Sequence, residues 1–174
     1  ALRSWMFNHL LSYRIQQHNW QTVLPGEVLQ LRGSSSWFVN DSTQTKATQA
    51  SLQARVSAGD LLITGPLYGD NALHSLAEAA RLEQTIGDQY PLWWEGLRAR
   101  RVQMDRRALK LYPQQLSWHF SYRDTDDKNL QPKSSIEQGK RTTQANRDRP
   151  LLDCELSFFL PKGSFTTIVI RKLL

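Results

Sequence analysis

The sequence predicts a mixed α/β chain of the α+β kind, in two lobes. Three observations carry that reading. Leu2, Trp5, Met6, His9, Leu10 and Tyr13 recur at three- and four-residue steps, the spacing of one helical face. Short apolar runs at 28–31, 61–64, 116–122 and 151–160 are bounded by turn formers and have strand length. These runs come from both ends of the chain, and no repeat of solenoid length links them.

Residues 1–17 form the first expected helix, which starts without a capping residue. Pro25-Gly26 marks a turn into a strand at Val28–Leu31. A turn at Gly33-Ser34-Ser35 leads to a second strand at Ser36–Val39. Asp41, Ser42 and Thr43 each carry an oxygen that can cap a helix running to Ser57, which Ala58-Gly59 ends. Leu61–Thr64 is the next strand, followed by a loop through Gly65-Pro66 and Gly69-Asp70-Asn71. Asn71 is the expected cap of a helix over Ala72–Ile86. Gly87-Asp88 interrupts it, and Leu92–Leu97 makes a shorter helix containing Trp93-Trp94. Arg107–Tyr112 and Leu116–Tyr122 read as strands on either side of Pro113. The polar segment 124–150 reads as a loop or hairpin tip, longer than packed loops usually are. Leu151–Leu160 reads as a buried apolar strand, and Gly163-Ser164 opens a final helix to Leu174.

Composition narrows the function classes. A hydrophobic share of 40% with six Trp, five Tyr and six Phe argues for a folded core. No apolar run approaches the ~20 residues of a membrane helix, and no signal-peptide pattern opens the chain, so a cytoplasmic protein is expected. The one cysteine, Cys154, excludes an internal disulfide and reads as a buried structural thiol. His9, His18, His74 and His119 lack metal-ligand spacing, so no metal or cofactor is expected. The net charge of +6 is concentrated: Arg98–Arg149 holds 13 of the 22 Lys/Arg and 6 of the 16 Asp/Glu. A concentrated basic segment suits a polyanion, because Lys and Arg displace the counterions condensed on phosphates; a solvated basic face without a partner is the alternative.

Four collinear segments say more. They are Val23-Leu-Pro-Gly-Glu-Val-Leu-Gln-Leu31 with Ser36-Trp-Phe-Val39, then Leu61-Leu-Ile-Thr-Gly-Pro-Leu67, Leu111-Tyr-Pro-Gln-Gln-Leu-Ser-Trp118, and Leu160-Pro-Lys-Gly-Ser-Phe-Thr-Thr167. Together they resemble the C-terminal part of the tRNA pseudouridine synthase D (TruD) family. The resemblance implies a TruD-type insertion domain at 23–106. It assigns 1–22 and 107–174, with the polar loop at 124–150, to a partial catalytic-domain sheet. The implied family reaction is isomerisation of uridine-13 in tRNA to pseudouridine, without cofactor or metal. The Gly-x-Lys-Asp segment that carries the family's catalytic aspartate, and its Phe-Gly-x-Gln-Arg-Phe-Gly segment, are absent from these 174 residues. The expectation is therefore a truncated homologue, inactive alone, that retains RNA-binding surface.

No catalytic residue is assigned. Asp105 sits among basic residues but lacks the preceding Gly-x-Lys, and surface ion pairing is its expected role. Ser164 and His119 lack a nucleophile-elbow context. The resemblance implies a uridine-pocket-like position for Gly163, Ser164 and Phe165; a capped helix with Phe165 in the core is the other reading. Arg171 reads as a solvated residue, with contact to RNA as the alternative. Expected RNA contacts are Arg98, Arg100, Arg101, Arg106 and Arg107, with Lys128, Lys133, Lys140 and Arg141 in the polar loop. Trp118, Phe120 and Tyr122 share a strand face that reads first as a packed inner face and second as a base-stacking surface. Expected partners are tRNA, bound weakly and salt-dependently, a second copy in a homodimer, and a separately encoded N-terminal half. The rival readings are a self-assembling structural or regulatory protein without RNA, and one half of a split synthase.

Overall fold

A computed structural model of the chain describes residues 2–41, 45–123 and 151–160. They fall into two compact units, Ala1–Leu111 and Tyr112–Leu174. The mixture of helix and sheet is the predicted α+β class. The expected loop at 124–150 and the helix expected from Gly163 lie outside the described residues.

The first unit is an antiparallel sheet with helices packed against it. Helix α1 (Leu2–Gln16) buries Met6, Phe7, Leu10 and Arg14, and His18 takes a left-handed conformation just beyond it. Strands β1 (Val28–Leu31), β2 (Trp37–Val39), β3 (Leu61–Leu67) and β4 (Asp105–Ala108) are ordered β2-β1-β3-β4, every pairing antiparallel. β3 is central and buried along nearly its whole length, which explains its continuous apolar run. It runs on through Gly65-Pro66, which the sequence placed in a loop.

Helix α2 (Lys46–Ala58) is capped by Thr45, whose hydroxyl accepts the Thr48 N–H, so the cap is not Asp41, and Ser42 and Thr43 lie outside the described residues. Gly59 ends it in the left-handed conformation that an L side chain resists. Helix α3 (Ala77–Asp88) starts five residues later than expected. Asn71 does not cap it. The Gly26 carbonyl instead accepts the Leu76 N–H at 2.9 Å and the Pro25 carbonyl accepts the Ala79 N–H at 3.1 Å. The turn that precedes β1 thus takes over the helix's unpaired donors. A Cβ at Gly26 would lie 1.9 Å from the Leu76 carbonyl oxygen, so only glycine permits this approach. Gly87 does not interrupt α3; its missing side chain makes room for Trp94. Helix α4 (Pro91–Ala99) starts on Pro91, which has no N–H to leave unpaired.

Two apolar clusters meet at α1. Phe7 joins Leu29, Leu52, Val56, Leu61, Ile63 and Leu67 in one. Met6 and Leu10 join Tyr68, Ile86, Trp94 and Leu97 in the other. Two buried ion pairs accompany them. Arg14 grips Glu27 with one nitrogen, at 3.0 and 2.9 Å, and is 2% exposed against 0% for Glu27. Its other terminal nitrogen donates to the carbonyls of Asn19 and Thr22, tying the α1–β1 connection to the helix. At Glu27 burial favours the neutral acid and Arg14 favours the carboxylate; burial dominates and pushes the pKa up to about 7.

Among the described residues the second unit is a two-stranded ladder of β5 (Gln114–Arg123) and β6 (Leu151–Phe159), with a bulge between Gln114 and Ser117. Trp118 faces Leu156 and Phe120 faces Cys154 across it. Trp118 is 63% exposed, and Phe120, Leu152 and Cys154 are exposed too. The packed inner face, the buried β6 and the buried thiol expected here are therefore not formed.

Candidate nucleic-acid interface

The register of β4 against β3 decides where its basic residues point. Arg106 pairs with Pro66 and Arg107 with Gly65, so the two side chains leave on opposite faces of the sheet. Arg106 does not reach the surface where the sequence placed it. Its guanidinium forms a two-pronged pair with Glu83, at 2.8 and 2.9 Å, and donates to Thr64 Oγ1 at 3.1 Å and the Thr64 carbonyl at 2.8 Å. Both partners are almost fully buried, and Ser75 adds a hydroxyl donor to the Glu83 carboxylate. Arg107, on the other face, lies over the Phe7 ring and contacts Ser4 Oγ at 3.4 Å. Partial burial, and then the nearby Arg3, lower its pKa.

Arg98, Arg100 and Arg101 do reach the surface. They cluster at the C-terminal end of α4, where cations complement the helix dipole. Arg98 lies over the Trp94 ring, 4.3 Å from its centroid. Trp94 is 4% exposed and Trp93 41%, so the tandem pair divides into a core residue and a surface residue. Asp105 is exposed, and its carboxylate accepts the Arg106 backbone N–H rather than forming the expected ion pair among the described residues. Lys128, Lys133, Lys140 and Arg141, like Gly163, Ser164 and Phe165, lie outside the described residues.

Sequence reasoning missed an aromatic patch joining α1 to α4. Trp5 stacks on His9 at 5.5 Å and Tyr90 on Trp93 at 5.1 Å, and the two pairs meet edge to face. The spacings Trp5/His9 and Tyr90/Trp93 announce each pair, but only the fold brings the pairs together. Among the described residues no group of three or more His, Cys, Asp or Glu is placed to hold a metal. Nor is any helix among them long and apolar enough to cross a membrane.

Comparison with known proteins gives these features a family. The family model described as tRNA pseudouridine synthase D (TruD) matches residues 1–173. The chain belongs to the TruD family. It is similar to the tRNA pseudouridine synthase D of Proteus mirabilis, 35% identical over 174 residues, and to that of Hydrogenovibrio crunogenus, 32% identical over 173. These matches take in 100% and 99% of the chain but 41% and 40% of the relatives, so the chain spans about two fifths of their length. A crystal structure of a TruD candidate from Methanosarcina mazei matches 98% of the chain and 36% of its own, with a TM-score of 0.62 and 20% identity. That likeness concerns the TruD fold.

Proposed function

We propose that these 174 residues form a tRNA-holding part of a TruD-type pseudouridine synthase and do not isomerise uridine by themselves. The family match over residues 1–173 carries this reading. Family chemistry needs a carboxylate at the junction of sugar and base, with the base lifted from its stack. The Gly-x-Lys-Asp segment is not in this sequence. Exposed Arg98, Arg100 and Arg101 support backbone contact with tRNA, joined by Lys128, Lys133, Lys140 and Arg141; Gly163, Ser164 and Phe165 are assigned to a uridine-pocket wall. We assign 23–106 to the insertion domain and 1–22 with 107–174 to the catalytic-domain sheet. The setting is cytoplasmic, with tRNA.

The test is to incubate the purified chain with unmodified tRNA, map pseudouridine, and titrate binding at several salt concentrations. The expected result is salt-sensitive binding without isomerisation. Arg100→Gln and Arg101→Gln should each flatten the log–log salt dependence by about 0.7–0.9 for every phosphate that the arginine had neutralised. Pseudouridine formation, or no binding at low salt, would overturn the reading.

A second reading, self-association as a homodimer, is favoured by the exposed Trp118, Phe120 and Leu152 of the β5–β6 ladder. A second copy could cover that face. Sedimentation showing only a 20.1 kDa monomer at micromolar concentration would exclude it.

A further inference from the structure

An open groove of about 660 Å³ is lined by Arg81, Gln84 and Thr85 of α3 and by Trp94 and Arg98 of α4, with Ser75 and the apolar Ala72, Leu73 and Ala80 completing it. Arg81, Gln84 and Thr85 stand at i, i+3 and i+4, and so share one face of α3. Two of the three already have partners: Thr85 donates to the Arg81 carbonyl at 2.8 Å, and Gln84 donates to Asp88 at 2.7 Å. Arg81 lines the groove with no ion-pair partner among the described residues.

The opposite wall is built more rigidly. Trp94 is pinned by its indole N–H to the Gly69 carbonyl at 3.0 Å, and it packs where Gly87 has no side chain. The Arg98 guanidinium lies over this fixed ring and likewise has no ion-pair partner among the described residues. Stacking leaves the N–H edges of a guanidinium open to a ligand. No acid among the described residues forms an ion pair with either arginine. Glu83 is taken up by its buried pair with Arg106 and the Ser75 hydroxyl, and Asp88 accepts from Gln84, while neither of them nor Glu95 lines the groove. Two guanidiniums without ion-pair partners among the described residues, lining one groove of small-ligand volume, suit a tetrahedral oxyanion.

We propose that this groove is a phosphate site, with Arg81 and Arg98 as its two arms. It takes a phosphodiester of a single RNA strand or a free phosphate group. The RNA source rests on the tRNA-holding reading above; the oxyanion chemistry does not. The experiment is a ¹⁵N NMR titration of the full chain with hexauridylate in one arm and inorganic phosphate in the other. It is repeated with Arg81→Gln, Arg98→Gln and, as a control on α2 outside the groove, Arg55→Gln, each first checked for an unchanged Tm.

The expected result is movement of the Trp94 indole N–H and Thr85 amide signals on adding hexauridylate. Arg81→Gln and Arg98→Gln should each weaken binding about tenfold, the loss of one charge-assisted hydrogen bond. Movement with inorganic phosphate alone, abolished by Arg81→Gln, would keep the site and assign it to a free phosphate group. Signals that move in neither arm, or an Arg81→Gln titration identical to the unsubstituted chain, would overturn the proposal. The tRNA binding measured with the Arg100 and Arg101 variants would then still report separately on the tRNA-holding reading.

Discussion

Replacing Arg106 with Met should damage the fold of the first unit. The substitution removes two charge-assisted bonds to Glu83 and two bonds to Thr64, leaving a buried carboxylate with the Ser75 hydroxyl as its remaining side-chain partner. Orphaning one member of a buried ion pair costs about 3–5 kcal/mol. For a protein of this size that corresponds to a Tm lowered by roughly 10–15 °C. Adding Glu83→Leu removes the stranded charge, so the double variant should be more stable than Arg106→Met alone, even with Ser75 losing its acceptor at about 1–3 kcal/mol. Thermal unfolding followed by circular dichroism reads all three stabilities. tRNA titration below the transition tests the folded variant against the proposed binding. A Tm lowered by less than about 3 °C, together with weakened tRNA binding, would mean that Arg106 faces solvent and that the β4 register is wrong.

Two glycines in the left-handed conformation give a paired test. Gly33→Ala, with open space around the new methyl, should cost only about 1–2 kcal/mol, whereas Gly26→Ala must also displace the Leu76 backbone and should cost clearly more in urea unfolding. Equal losses would argue against the docking of the Pro25-Gly26 turn on α3. Glu27 sets a pH dependence. Its pKa is higher in the folded chain than the ordinary 4.5, so the native state binds the extra proton and stability falls as pH rises from about 4.5 to about 7. Comparing stability at pH 5 and pH 8 should show a steeper fall for the unsubstituted chain than for Glu27→Gln; identical falls would contradict the assignment.

Much of the first unit was legible because its signals are local. The α1 stripe, the apolar run at 61–64, the turn at Pro25-Gly26 and the Gly59 helix end each depend on neighbours a few residues away. What sequence reasoning missed depends on distant partners. Asn71 has the chemistry of a cap, yet the α3 amides find the carbonyls of Pro25 and Gly26. Arg106 and Arg107 are adjacent and chemically alike, and only strand register sends one to Glu83 and the other over Phe7. Arg81 drew no attention because a lone arginine on a helix gives no hint of the opposing wall. Cys154 and Trp118 were misread for a related reason: alternation shows which side chains share a face but not whether a second layer covers it.

The central position of β3 also orders events during synthesis. Its partner β1 precedes it by some thirty residues, but its other neighbour, β4, follows only after α3 and α4. When the chain has been made as far as Leu67, β2, β1 and β3 can already pair while one edge of β3 still awaits β4. The Glu83–Arg106 pair cannot close until Arg106 has left the ribosome, so a carboxylate destined for the interior must stay hydrated through the making of α4. Closure of that pair and pairing of β4 are thus one event. A nascent chain released before β4 should retain protease-sensitive ends at α3, whereas one extending past Ala108 should protect them.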